Sequence, residues 1–144
     1  MPVYEIRSSS DILKSAGAIL PNIEISLPQI LVDELTKKGM PTPKPIAGNA
    51  LIDTGASATV VDLSVISSLQ ISPVGVATVL TTAGPVQQNL FPIRFVLPGL
   101  VIDVSAVLGA DLRPFGIVSL IGRDILSSFL MIYHGRAGMI TLAF

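Results

Sequence analysis

The sequence predicts an all-β domain, and three observations carry that prediction. Half of the 144 residues are apolar and only 13% are charged, which disfavours disorder and requires a compact, dry body. Residues 19–27, Ile-Leu-Pro-Asn-Ile-Glu-Ile-Ser-Leu, alternate apolar and polar positions as a half-buried strand does. Between Leu63 and Ile93 there is no charged residue at all. A membrane helix needs about twenty mostly apolar residues. This stretch is instead broken by Ser67-Ser68, Pro73, Thr81-Thr82, Gly84-Pro85 and Gln87-Gln88, so it reads as buried strands joined by a hairpin. No membrane span is expected.

The elements follow in order. Residues 1–14 read as an arm with little core of its own, which sets the expected division into an arm at 1–18 and a domain at 19–144. Residues 28–38 suit a short helix, with Pro28 in the first turn and Lys37-Lys38 just before Gly39. Pro41, Pro43 and Pro45 make a stiff, extended connector. Residues 46–53 and 59–61 read as further strands. Residues 74–80 and 91–97 flank a segment, 81–90, with the content of a hairpin tip. Residues 100–108 are apolar enough for an interior strand, provided that Asp103 faces out or is paired. Residues 109–116 form a loop, and 122–129 have the content of one short C-terminal helix. Residues 131–133 and 139–144 form a closing hairpin around 134–138. No internal repeat is visible.

Composition excludes several function classes. The net charge is -1 and Lys37-Lys38 is the only basic pair, so no nucleic-acid partner is expected. The absence of cysteine excludes disulfides and thiolate metal sites. With a polar start carrying Glu5 and Arg7, it makes the cytoplasm the expected location. His134 is the only histidine, which excludes Ser-His and Cys-His machinery, and it is expected as a surface residue in a turn. Asp103, Asp111 and Asp124 are scattered over separate elements and are expected to be solvated or paired. No metal or cofactor is expected.

One motif carries chemistry. Ala50-Leu51-Ile52 leads an apolar run into Asp53-Thr54-Gly55, followed by Ala56-Ser57. Gly55 permits a sharp turn that leaves the carboxylate at its tip. Thr54 supplies a short hydroxyl able to hold neighbouring backbone, and Leu51 and Ile52 bury the strand behind. Two such carboxylates about 3 Å apart cannot both ionise; they share one proton and can activate water as a pair. The tripeptide alone fits an Asx-type turn equally well.

The wider pattern resembles the retropepsin-like aspartic proteases. Residues 50–57, with Thr59-Val60-Val61 after them, resemble that family's active-site loop. Ser119-Leu120-Ile121-Gly122-Arg123-Asp124-Ile125-Leu126 resembles its second signature, and Thr81-Thr82-Ala83-Gly84-Pro85 lies where the family keeps its flap. The resemblance covers roughly residues 19–144. It implies a retropepsin-like acid protease barrel with one short C-terminal helix. Since there is only one Asp-Thr-Gly, it also implies the single-domain, homodimeric type. The C-terminal extension over 131–144 is closer to bacterial or cellular members than to the shortest viral ones.

The resemblance also assigns roles. Asp53 would be the catalytic carboxylate, one per protomer. Thr54 would bond its counterpart across the dyad, and Gly55 would contact the substrate backbone. Ala56 and Ser57 would line the cleft, Ala83 and Gly84 would form the flap tip, and Val118 and Leu120 would wall the side-chain pockets. Arg123 would brace the loop. Viral members usually carry an acid where Ser57 stands, so Arg123 needs another partner, either Asp124 or an acid from a second chain. The insertion at 29–44 has no counterpart in the minimal pattern. The implied function is an aspartic endopeptidase acting on a polypeptide substrate. The alternative is the same fold used as a non-proteolytic dimerisation or peptide-binding module.

Overall fold

The computed structural model describes residues 1–144. Its strands are β1 (Val3–Arg7), β2 (Ala18–Ser26), β3 (Ile46–Ile52), β4 (Val60–Asp62), β5 (Gly75–Thr81), β6 (Gly84–Leu97), β7 (Leu100–Ala110), β8 (Ser119–Ile121), β9 (Leu130–His134) and β10 (Met139–Ala143). The helices are short: α1 (Ser10–Ala16), α2 (Gln29–Lys37), α3 (Leu63–Ser68) and α4 (Arg123–Leu126). None is long and apolar enough to cross a membrane.

Seven strands form one sheet in the order β2-β3-β8-β4-β7-β6-β5, and β2 also pairs with β6. That extra pairing closes the sheet into a barrel and leaves β5 as an outer flange on β6. A bend in β2 makes closure possible. Its register against β3 shifts between Leu20 and Ile23, and Asn22 there takes φ 52°, which a short polar side chain tolerates better than most. Beyond the bend, Glu24 and Ile25 pair with β3 on one side and with β6 on the other. Alternation along the strands then fills the barrel: Leu20, Ile23, Ile25, Ile93, Phe95 and Val107 are almost wholly buried. Each such side chain contributes roughly 1.5–3 kcal/mol relative to exposure.

The insertion of β8 matters most for the site. It lies between β3 and β4, parallel to β3 and antiparallel to β4. The chain joining β3 to β4 must therefore loop over the end of β8, and residues 53–59 are that loop.

Several expectations need correction. The N-terminal residues, expected as an arm with little core of its own, do bury few side chains but are tied into a sheet. β1 pairs antiparallel with β10 in a three-stranded sheet, β1-β10-β9, and Ile6 and Leu13 are buried. The short alternation Tyr4-Glu5-Ile6 finds its partner more than a hundred residues away, which no local reading reveals. Helices α1 and α3 were also unforeseen. Ser9 caps α1 by accepting from the Ile12 N–H at 3.1 Å, and Asp62 caps α3 by accepting from the Ser64 N–H at 2.8 Å. The helix at 28–38 and the C-terminal helix are present as α2 and α4. The hairpin tip is tighter than foreseen: Thr81 pairs with Gly84, so only Thr82 and Ala83 form the turn.

Candidate active site

Strand β3 delivers Asp53 to the barrel end, where its N–H donates to the Ile121 carbonyl of β8 at 2.9 Å. The chain then turns back on itself. The Ala56 N–H donates to the Asp53 carbonyl at 3.2 Å, and the Gly55 N–H donates to Asp53 Oδ1 at 2.8 Å. A Cβ at residue 55 would lie 3.0 Å from that same oxygen, so glycine provides the room. The Asp53 carboxylate is half-buried, backed by the buried Ile52, and its second oxygen has no partner within the chain. Thr54, Gly55 and Ser57 are exposed beside it, and Ala56 is half-buried.

The loop is held from below. Thr59 is fully buried and sits at the centre of a small polar knot. Its N–H donates to Asp124 Oδ2 at 2.9 Å and its hydroxyl donates to Asp124 Oδ1 at 2.7 Å. The same hydroxyl accepts from the Gly122 N–H at 3.0 Å. Gly122 is required by close approach, since a Cβ there would lie 2.6 Å from the Ala58 carbonyl carbon and oxygen. Just after it, the Arg123 N–H donates to the Ala56 carbonyl at 2.9 Å, and Arg123 Nη1 donates to the Thr54 carbonyl at 2.7 Å. Arg123 thus reaches the Asp53 loop, but not through Asp124 as one reading of the sequence had it. Successive helix residues face apart, and Asp124 spends its oxygens on Thr59 and on the Ile125 N–H.

Other residues singled out from the sequence lie elsewhere. Ala83 and Gly84 are at the β5–β6 turn, where Thr81 Oγ1 accepts from the Ala83 N–H at 3.2 Å and donates to the Gly84 carbonyl at 2.7 Å. Leu120 is half-buried in the middle of β8. Val118, just before β8, packs onto Gly48, where a Cβ would come within 2.3 Å of its Cγ1. It shares a shallow cavity of about 420 Å³ with Asp62 and Arg113, and Asp53 does not line that cavity. His134 is exposed, with Nδ1 accepting from the Ala137 N–H at 3.2 Å. Asp103 is gripped by Arg94 through two bonds of 2.7 and 2.8 Å, and Arg113 takes Asp111. These guanidinium contacts hold both carboxyls below their ordinary range.

Two residues of this region escaped the sequence reading. Thr59 reads from the sequence as the start of a strand and as part of the Thr59-Val60-Val61 resemblance, with no role of its own, although a threonine among Val60 and Val61 is the kind of buried hydroxyl that needs a partner. Asp62 was not singled out at all. It is 2% exposed, and its carboxylate accepts from the Ser64 N–H, the Ser64 hydroxyl and the Leu112 N–H, the last at 2.7 Å. Burial pushes this carboxyl up, but the three hydrogen bonds together outweigh it and hold the group below its ordinary range. The available signal was an aspartate directly preceding Leu63-Ser64-Val65-Ile66, a helix-capping pattern.

Among solved structures, the chain is similar to a retropepsin-like aspartic protease from Rickettsia conorii. The two share 14% identity with a TM-score of 0.53, over 98% of this chain and 91% of that one. This chain has the retropepsin-like fold. It is also similar to EIAV protease complexed with the inhibitor HBY-793, at 26% identity and a TM-score of 0.44, over 57% of this chain and 76% of that one. A third likeness is to the retroviral protease-like domain of Ddi1 from Leishmania major, at 14% identity and a TM-score of 0.41, over 78% and 79%. No family model matches the sequence, and no curated protein matches it.

Proposed function

We propose that the protein is an aspartic endopeptidase whose active site assembles from two Asp53 carboxylates across a homodimer. The observation that carries this reading is the state of Asp53. It stands half-buried at the tip of a loop held by Arg123, Gly122 and the Thr59–Asp124 knot, and one carboxylate oxygen is left without an internal partner. The chain holds a single Asp-Thr-Gly, so a water-activating pair requires a second copy. The exposed Thr54 hydroxyls, which have no partner within the chain, would meet at the same axis. The extension that forms β9 and β10 supports the bacterial or cellular type within this reading.

The chemistry then follows from one shared proton. The ionised carboxylate takes a proton from water as its oxygen attacks the peptide carbonyl carbon. The protonated carboxyl gives its proton to the carbonyl oxygen, forming a tetrahedral diol. Transfer of a proton to the amide nitrogen breaks the C–N bond, collapse of the diol yields the acid, and the dyad again holds one proton. The pair titrates as a unit, and activity should peak on the acid side of neutrality. The β5–β6 hairpin, with Ala83 and Gly84 at its turn, would close over an extended peptide.

The test is cleavage of a peptide library across about pH 3 to 8 by wild type and by Asp53→Asn, which keeps the shape of the side chain. Wild type should cut, with loss of at least roughly 10²–10⁴-fold in the variant. Equal cleavage by both would remove Asp53 from the chemistry. Two inert but folded dimers would favour the non-proteolytic binding module.

A further inference from the structure

The insertion at 29–44 has no task in the proposed chemistry, yet it builds one wall of a cavity of about 770 Å³. Leu31, Leu35, Met40, Ile46 and Val74 give that cavity its accessible apolar lining over the buried Leu27, Leu69 and Ile71, and neither Asp53 nor the β5–β6 turn contributes to it. Its size falls within the range of about 300–1,000 Å³ typical of small-ligand pockets. The opposite wall is the segment that closes α3, residues 68–74.

Three observations say what the cavity would take. The first is charge. Lys38 and Lys44 line it against a single acid, Glu34, and the three ion pairs of the chain lie elsewhere and use neither lysine. The second is the connector. Pro41, Pro43 and Pro45 stiffen it, and the intervening Thr42 and Lys44 N–H groups make no backbone hydrogen bond, leaving donors free along the wall. The third is Gln70. It follows α3 in the left-handed region, at φ 56°, with its N–H donating to the Ser67 carbonyl at 3.0 Å. Glycine is the residue this position favours. A glutamine stands there instead, at the cost of backbone strain, and is one of the residues that line the cavity.

Apolar walls with a rim rich in donors and cations match a molecule with an alkyl body and an anionic end. We propose that this cavity binds an amphiphilic carboxylic acid, with the alkyl chain against Leu31, Leu35, Met40 and Val74 and the carboxylate held by Lys38 and Lys44. The site is separate from the Asp53 loop, so it stands or falls independently of the proteolytic reading.

The test is an amide NMR titration of the full chain with decanoate, with decanol as the uncharged control, on wild type and on the Lys38→Gln/Lys44→Gln variant. Both lysines are exposed, so the variant should fold. Wild type should show saturable shifts confined to residues 27–46 and 68–74, with decanoate bound roughly tenfold more tightly than decanol. The double variant should lose that preference. Unsaturable shifts spread over the surface, equal affinity for the two probes, or a preference that survives the double substitution would each overturn the assignment.

Discussion

Asp53 and Asp62 lie nine residues apart, at opposite ends of the segment that leaves β3 and enters α3, and they have opposite fates. Asp62 is buried, satisfied by three donors, and committed to joining α3 to the segment at Leu112. Asp53 is half-buried, takes one internal donor, and keeps its second oxygen free. The same side chain is thus a structural rivet in one place and, in the other, a carboxylate with an oxygen left open at a loop tip. The difference comes from the number of N–H and O–H groups aimed at each carboxylate, since a fully bonded buried carboxylate has no capacity left for a substrate.

The largest effect should separate these two roles directly. Asp62→Ala leaves the Leu112 and Ser64 N–H groups without their acceptor in a buried site, and should cost about 3 kcal/mol in urea unfolding. Asp53→Asn should change stability by less than about 1 kcal/mol. Equal losses would dissolve the comparison.

Gly122→Ala acts on the scaffold between them. A methyl 2.6 Å from the Ala58 backbone cannot be absorbed by a rotamer change, so about 2–3 kcal/mol of destabilisation is expected, together with a displaced Asp53 loop visible in the amide spectrum. Asp124→Ala strands the buried Thr59 N–H and hydroxyl and should cost about 1–2 kcal/mol. A smaller loss would mean that water replaces the carboxylate there.

Acid pH sharpens the contrast. The folded pKa of Asp62 lies below its ordinary value of 3.8. Its contribution is therefore fully present above that value and is lost as pH falls through the folded pKa. Thermal stability should be insensitive to this group above about pH 4 and fall below it, and Asp62→Asn should flatten the fall. An unchanged acid slope in the variant would assign the loss to other carboxyls, with Asp103 sharing the same direction. The smallest effect is expected for Arg123→Ala, about 0.5–1 kcal/mol, because its single bond to the Thr54 carbonyl is made by an exposed side chain.

The strands that alternate strongly were legible, and so was the Asp53 loop. Residues 19–27 and 46–53 announce themselves by apolar spacing, and Asp-Thr-Gly after an apolar run announces a turn that presents a carboxylate. The partner of Arg123 was not legible. Sequence proximity pointed to Asp124 or to a second chain, whereas the guanidinium reaches a backbone carbonyl 69 positions away. Backbone acceptors carry no sequence signature, since every residue has one. Helix α3 was missed for a different reason: its six residues, Leu-Ser-Val-Ile-Ser-Ser, are too few and too β-branched for propensity to mark them.

By itself the sequence determined the fold class, the turn that presents the Asp53 carboxylate and the glycine within it, because periodicity and turn chemistry are local properties of residue type. Only the tertiary structure decided that β8 lies between β3 and β4, that β1 closes against β10, and that Thr59, Asp124 and Gly122 meet beneath the Asp53 loop. Those pairings join segments separated by about sixty residues or more. They exist because each buried donor must find an acceptor somewhere in the folded chain, and the sequence does not say where.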